Sequence, residues 1–255
     1  MYKRCPKCGF EHAQYDPKAG SCAACGVIYA KWLTHFLEEE PVVAVRKARP
    51  KGELTESLVD FFLHVPDRWD TVSFGGRVAL YILFVIWGCR FMAMDIDGYE
   101  IGSSFMHRVD LIFHEAGHVI FRAFGEFMTI LGGSLGQLLM PAVALVVLLF
   151  QNRDPFGASI ALWWLAQSFM DLAPYIDDAR ALQLPLLGGG TGADRPGMHD
   201  WNNILSELDW LEYDHALAKL ADRTGVVLMV LAFAWGAAVL VRHSLTRPVP
   251  VRARR

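Results

Sequence analysis

The sequence predicts a mostly α-helical protein, a polytopic membrane helix bundle of about five transmembrane helices with a small cysteine-rich domain at its N-terminus. Three observations predict it. Of the 255 residues, 53% are hydrophobic, and the mean hydropathy of +0.27 is high for an ordinary soluble globule. Charges gather in the first seventy residues, in 177–223 and in 242–255, leaving long uncharged runs between them. As helices, such runs are long enough to cross ~30 Å of hydrocarbon. Finally, four of the five cysteines form Cys5-Pro-Lys-Cys8 and Cys22-Ala-Ala-Cys25, the paired-knuckle spacing of a ribbon built on one metal ion. The net charge of −3 and pI near 6.3 give no global basic field, so nucleic acid is excluded as a partner.

Residues 1–30 read as a zinc ribbon. Cys5, Cys8, Cys22 and Cys25 would hold one structural Zn2+, and Gly9 and Gly26 let the backbone turn so that its amides approach the sulfurs. A disulfide pair or a redox C-x-x-C is the weaker reading, because no signal-peptide pattern precedes Cys5 and no βαβ pattern surrounds it. Thiolate–zinc ligation suits a reducing compartment, which places the ribbon in the cytoplasm. Small ribbons also serve as docking modules, so a protein partner is expected there. Cys89, alone in an apolar run, reads as a small hydrophobe.

Residues 31–72 read as a linker followed by an interfacial segment. Glu38-Glu39-Glu40-Pro41 and Arg46 to Gly52 are charge runs broken by proline. Leu54, Leu58, Phe61, Phe62 and Val65 then recur at helical spacing, as a helix lying on the membrane or a plain amphipathic helix would require.

Spans are expected over 75–94, 129–150, 156–173 and 224–241, with a shorter helix between Arg108 and Arg122. In 129–150, Gly132, Gly133 and Gly136 permit close backbone approach or a partly unwound start. Five crossings would put the two ends on opposite faces, whereas the basic tail, residues 246–255, argues for the same face as the ribbon. Leu187-Gly188-Gly189-Gly190-Thr191-Gly192 lacks the features of a dinucleotide or phosphate loop and reads as a flexible linker. Asp200 is expected to cap the helix that follows it.

The short helix carries the chemistry. His114 and His118 lie four apart, one above the other on a helix, and can ligate one divalent ion. Glu115, ~100° round the helix, stands where a general base would act on a metal-bound water. Leu, Ile, Phe and Val flank the motif, and burying these three groups without compensation would cost several kcal/mol. Two histidines leave the ion short of a protein ligand. The candidates are Asp171, Asp177, Asp178, His199, Asp200, Asp209, Asp214 and His215. Of these, Asp178 is preferred, because on a continuing helix it lies within ~20° of Asp171. Asp177 and His199 remain as substitutes. Asp110, one turn before His114, suits an acceptor for a ligand imidazole's distal N–H or a carboxylate at a helix N-terminus.

His114-Glu115-Ala116-Gly117-His118, followed two spans later by Asp171-Leu172-Ala173-Pro174 and then an aspartate, resembles the site-2 protease family of intramembrane zinc metalloproteases over about residues 105–180. The resemblance implies His114, His118 and Asp178 as ligands of a catalytic Zn2+ and Glu115 as the catalytic base. Ala179 replaces the glycine of the family's L-D-G. Asp171 occupies an asparagine position associated with holding substrate or the oxyanion, a role that passes to His199, Asn202 or Asn203. It further implies a transmembrane metalloprotease-like domain over 73–245, multi-pass in a bacterial inner membrane, cleaving a membrane protein or peptide substrate in or near the lipid bilayer. The rival reading is a non-catalytic zinc-binding scaffold, sensor or transporter, with a closed four-ligand site that His199 would complete.

Overall fold

The computed structural model describes residues 4–5, 7–11, 20–29, 58–65, 70–96 and 100–246. Most of the linker, part of the acidic turn at 95–100 and the basic tail beyond 246 therefore lie outside the described residues. The chain divides into two compact units, Met1–Thr55 and Glu56–Arg255.

In the first unit, the two cysteine loops repeat one construction. The Cys5 N–H donates to the Phe10 carbonyl at 2.8 Å and Gly9 N–H to the Cys5 carbonyl at 2.9 Å; Cys22, Val27 and Gly26 repeat this at 2.9 and 2.8 Å. Each loop needs a residue in the left-handed region, and Gly9 (φ 74°) and Gly26 (φ 69°) supply it at no steric cost. The cysteines are free thiols rather than disulfides.

The second unit is helical: α1 (Leu58–Phe62), α2 (Thr71–Met92), α3 (Phe105–Phe121), α4 (Glu126–Val146), α5 (Pro155–Asp177), α6 (Asp200–Glu207) and α7 (Asp214–Leu245). A π turn, Val147–Gln151, prolongs α4. No strand occurs among the described residues, only isolated bridges. Caps fix two starts: Asp70 accepts the Ser73 N–H at 2.7 Å before α2, and Ser104 accepts the His107 N–H at 3.0 Å before α3.

Three stretches are long and apolar enough to cross a membrane: Thr71–Met92, Glu126–Gln151 and Leu211–Leu245. This is fewer than the expected five. α3 has only 17 residues, about 26 Å of helix, although Ile112, Val119 and Ile120 project outward from it, exposed. α5 is long, but it is the bundle's interior helix. Ser159, Gln167, Ser168 and Asp171 on it are buried, so its polar groups face neighbouring helices, and that lowers its hydropathy. Ile82, Leu83 and Ile86 of α2 and Val227, Val230 and Leu231 of α7 are exposed. An outer surface this apolar suits hydrocarbon.

α5 is held by specific bonds as well as packing. Trp163 sits among Phe84, Trp87 and Phe91, and its Nε1–H donates to the Phe84 carbonyl at 2.9 Å. At the other end, Arg180 grips Asp214 with two bonds of 2.7 and 2.6 Å, and Asp177 Oδ1 lies 2.6 Å from His215 Nδ1. These pairs tie the end of α5 to the start of α7. They also explain why α7 begins ten residues before the apolar run 224–241, and they engage Asp177, Asp214 and His215 with one another and with Arg180.

α1 docks on α7 through Phe62 against Trp235, ring centroids 6.0 Å apart, and through an Arg242–Asp60 ion pair. The interfacial-helix expectation thus reduces to one short turn among the described residues. The glycine-rich segment is an ordered turn rather than a flexible linker. Leu186 N–H donates to the Gly190 carbonyl, and Gly189 N–H to that of Leu186. Gly188, Gly189 and Gly190 all adopt positive φ, and Arg195 Nη1 donates to the Leu187 and Gly189 carbonyls. Residues 178–199 therefore form a structured strap between α5 and α6.

Candidate metal centre

α3 and α4 meet backbone to backbone. A methyl group on Gly117 would fall 2.0 Å from the Gly132 carbonyl oxygen, and one on Gly136 would fall 2.4 Å from that of Phe113. The glycines thus provide close approach rather than an unwound entry. The consequence lies at Gly133, where a methyl would sit 2.5 Å from His114 Nε2 and 2.6 Å from His118 Nε2. Its missing side chain leaves the space before both ring nitrogens clear.

Each imidazole is turned by its other nitrogen. His118 Nδ1 lies 2.8 Å from the Thr129 carbonyl; a carbonyl only accepts, so Nδ1 carries the proton. His114 Nδ1 lies 3.3 Å from Gln137 Oε1. The Gln137 amide is oriented by its nitrogen, which donates to Asp171 Oδ2 at 2.9 Å, and its oxygen therefore faces His114. In the neutral tautomers so set, both Nε2 atoms would present lone pairs to the site, the usual arrangement around ligating histidines.

Both lone pairs converge on one carboxylate oxygen, which belongs to Asp200. Its Oδ2 lies 3.0 Å from His114 Nε2 and 3.3 Å from His118 Nε2. Such a cluster is held together either by a cation between the three groups or by a proton on an imidazole donating to the carboxylate. A tetrahedral ion with bonds of about 2.0–2.1 Å separates its ligands by about 3.3 Å, so these residues fit one. Glu115 stands beside the pair, close enough for a carboxylate oxygen to join both histidines around one ion.

Asp178, the ligand expected from the sequence, is engaged with other groups in the structure. The helix ends at Asp177, and the chain folds back so that Asp178 accepts the Gln183 and Leu184 N–H groups at 2.8 and 2.9 Å, with His199 Nε2 3.3 Å from its Oδ2. It organises the strap instead. His199 does not complete a four-ligand site either. Its Nδ1 accepts the Asn202 N–H at 3.1 Å, so His199, not Asp200, caps α6, and Asp200 is free to face the histidines. Burial keeps the His199 imidazole below its ordinary pKa. Asp110, too, serves elsewhere: it accepts from Trp164 Nε1 at 2.7 Å and from Ser168 Oγ at 3.3 Å, not from a ligand imidazole. Asp171 acts at one remove, through Gln137, while His107 Nδ1 lies 3.0 Å from its Oδ1. Gln137 was not singled out by sequence reasoning, and Gly133 only as one of the small residues that permit close approach; an amide within an otherwise apolar stretch was the available signal for Gln137.

A cavity of about 550 Å³ opens onto the site, lined by Glu115, His114, His118 and Asp200 and walled by Leu111, Leu172, Tyr175, Leu184, Leu186 and Met198 among others. It is large enough for several side chains of a peptide.

The ribbon forms a second candidate centre. Cys5 Sγ lies 3.7 Å from Cys25 Sγ, and Cys8 Sγ 3.8 Å from Cys22 Sγ, which match the roughly 3.8 Å edge of a tetrahedron with ~2.3 Å metal–sulfur bonds. Burial pushes the Cys22 thiol up, yet the N–H groups of Cys25 and Ala24 directed at its sulfur hold it down at about 6. Such amides favour the thiolate that a metal needs.

No protein-family model, curated protein or solved structure matches this chain. The chemistry of the site rests on its own geometry.

Proposed function

We propose that the second unit is an intramembrane zinc metalloprotease of the site-2 protease kind, hydrolysing peptide bonds in or near the bilayer. One observation carries the reading: His114 Nε2 and His118 Nε2 converge on a single oxygen of Asp200 while Glu115 borders the same cavity. Three protein ligands and an adjoining cavity are the arrangement of a catalytic rather than a structural zinc.

A zinc ion held by His114, His118 and Asp200 would lower the pKa of a water and polarise the scissile carbonyl. Glu115 receives the water's proton and passes it to the leaving amine. Thr129 and Gln137 hold the two rings in the required tautomer. Leu184 and Leu186 of the strap and Leu111 of α3 supply apolar walls that seat the substrate and limit access of bulk water. The substrate is a membrane protein or peptide, the ribbon holds a structural zinc, and its face recruits a partner in the cytoplasm.

The test is Glu115→Gln in zinc-loaded protein reconstituted in liposomes with a library of synthetic transmembrane peptides. Cleavage by the parent and none by the variant, at equal metal content, is the expected result. Equal cleavage by both would remove the mechanism.

A further inference from the structure

The resembling family carries an asparagine where this chain has Asp171, and a carboxylate cannot donate a hydrogen bond to developing negative charge. The other donors that the sequence offers for that task are committed elsewhere. Asn202 Nδ2 donates to the Ala179 carbonyl at 2.8 Å and Asn203 Nδ2 to that of Gly197 at 2.8 Å, while His199 caps α6 and faces Asp178. Each of these groups already makes a bond that turns it elsewhere, and a donor with no other bond to give would serve better.

Tyr175 meets the requirement. It lies on α5 immediately after Pro174 and lines the cavity shared with Glu115, His114 and His118. Its Oη accepts the backbone N–H of Asp200 at 3.0 Å, which ties the hydroxyl to the residue that faces both ligand imidazoles. A phenol has one proton to give. Among the described residues the bond from Asp200 is the only hydrogen bond the hydroxyl makes, so that proton is uncommitted. The ring is also fixed, with its centroid 4.3 Å from that of His199 and 6.2 Å from that of His114. A donor oriented before the reaction stabilises charge without reorganisation cost.

We propose that the Tyr175 hydroxyl donates a hydrogen bond to the former carbonyl oxygen of the substrate as it becomes an oxyanion, an inference that rests on the proteolytic reading above. As the water oxygen bonds to the carbonyl carbon, its proton passes to Glu115 and the carbonyl π pair moves onto oxygen. Tyr175 donates to that oxygen and keeps its proton. The oxygen pair then re-forms the carbonyl, the C–N bond breaks, and Glu115 returns the proton to the amine nitrogen, leaving a carboxylic acid and an amine.

The experiment uses the full chain, zinc-loaded in lipid nanodiscs, with Tyr175→Phe, which keeps the ring and removes the hydroxyl. Two probes are titrated: a leucine-based phosphinic peptide, whose anionic tetrahedral centre mimics the oxyanion, and a leucine thiol, which binds zinc without one. The variant should keep wild-type zinc content and thiol affinity while losing phosphinate affinity by at least about tenfold. On any peptide that the wild type cleaves, kcat should fall ~10²–10³-fold with little change in KM. Parallel loss of both probes would assign the residue to holding Asp200, and no loss of either would leave it without a role; each result overturns the proposal. If the wild type cleaves nothing, the proteolytic reading fails separately, while the two probes still decide whether Tyr175 donates.

Discussion

Gln137 turns one of two edge-to-face histidines so that the pair can serve as ligands. Its amide passes the constraint of the Asp171 carboxylate to His114 Nδ1, and the Thr129 carbonyl does the same for His118. Without these partners either ring could flip or change tautomer, and Nε2 would no longer be a dependable lone pair. Gln137→Leu should therefore weaken metal binding at this centre by ~10–100-fold, read by competition against a graded series of chelators. Unchanged affinity would mean that the ring is set by something other than its hydrogen bond. At this scale the sequence was partly legible. His114, Glu115 and His118 announce themselves by spacing, whereas the choice between Asp178 and Asp200 depends on how the chain from 178 to 199 folds back, and no residue spacing encodes that distance. The expectation for Asp178 extended the helix one residue past its end at Asp177, where a carboxylate accepting two backbone N–H groups anchors a loop.

Between α3 and α4, glycine does two separable jobs. Gly117 meets the Gly132 backbone, so Gly117→Ala pushes whole helices apart and should cost about 1–3 kcal/mol of stability, in the range of overpacked cores. Gly133 meets the two Nε2 atoms, so Gly133→Ala should lose metal out of proportion to any loss of stability. Gly75 and Gly76 on α2 have nothing within 4 Å, and alanine there should leave both properties intact or add up to ~1 kcal/mol through helix propensity. Thermal unfolding and metal content measured on the same four variants check this; a Gly133→Ala protein with full metal content would contradict the placement of the ion. The sequence showed that these glycines permit close contact but not which surface they meet, because the contact is made by α3, a helix many residues away. The strap illustrates the same limit: its glycines looked like slack, and besides the turn's own bonds it is ordered by Arg195 and Asp178, which lie outside the glycine run.

Over the whole molecule, hydropathy located four of the five long helices and motif spacing the fifth, but the count of spans was overestimated. α5 is enclosed by its neighbours and carries polar residues inward, so its environment is protein more than lipid, and α3 has only 17 residues. Each unit carries one of the two candidate metal sites. Four thiolates in Met1–Thr55 and two imidazoles with carboxylates in Glu56–Arg255 can each hold one ion, so replacing all four ribbon cysteines by serine should remove about one equivalent and leave the other. That background isolates the account's central claim, that His114, His118 and Asp200 together grip a cation. The most direct measurement is metal content by mass spectrometry of the cysteine-free protein carrying Asp200→Ala or Asp178→Ala. Loss of the remaining equivalent in Asp200→Ala, with retention in Asp178→Ala, is the predicted result; retention in Asp200→Ala with loss in Asp178→Ala would contradict it.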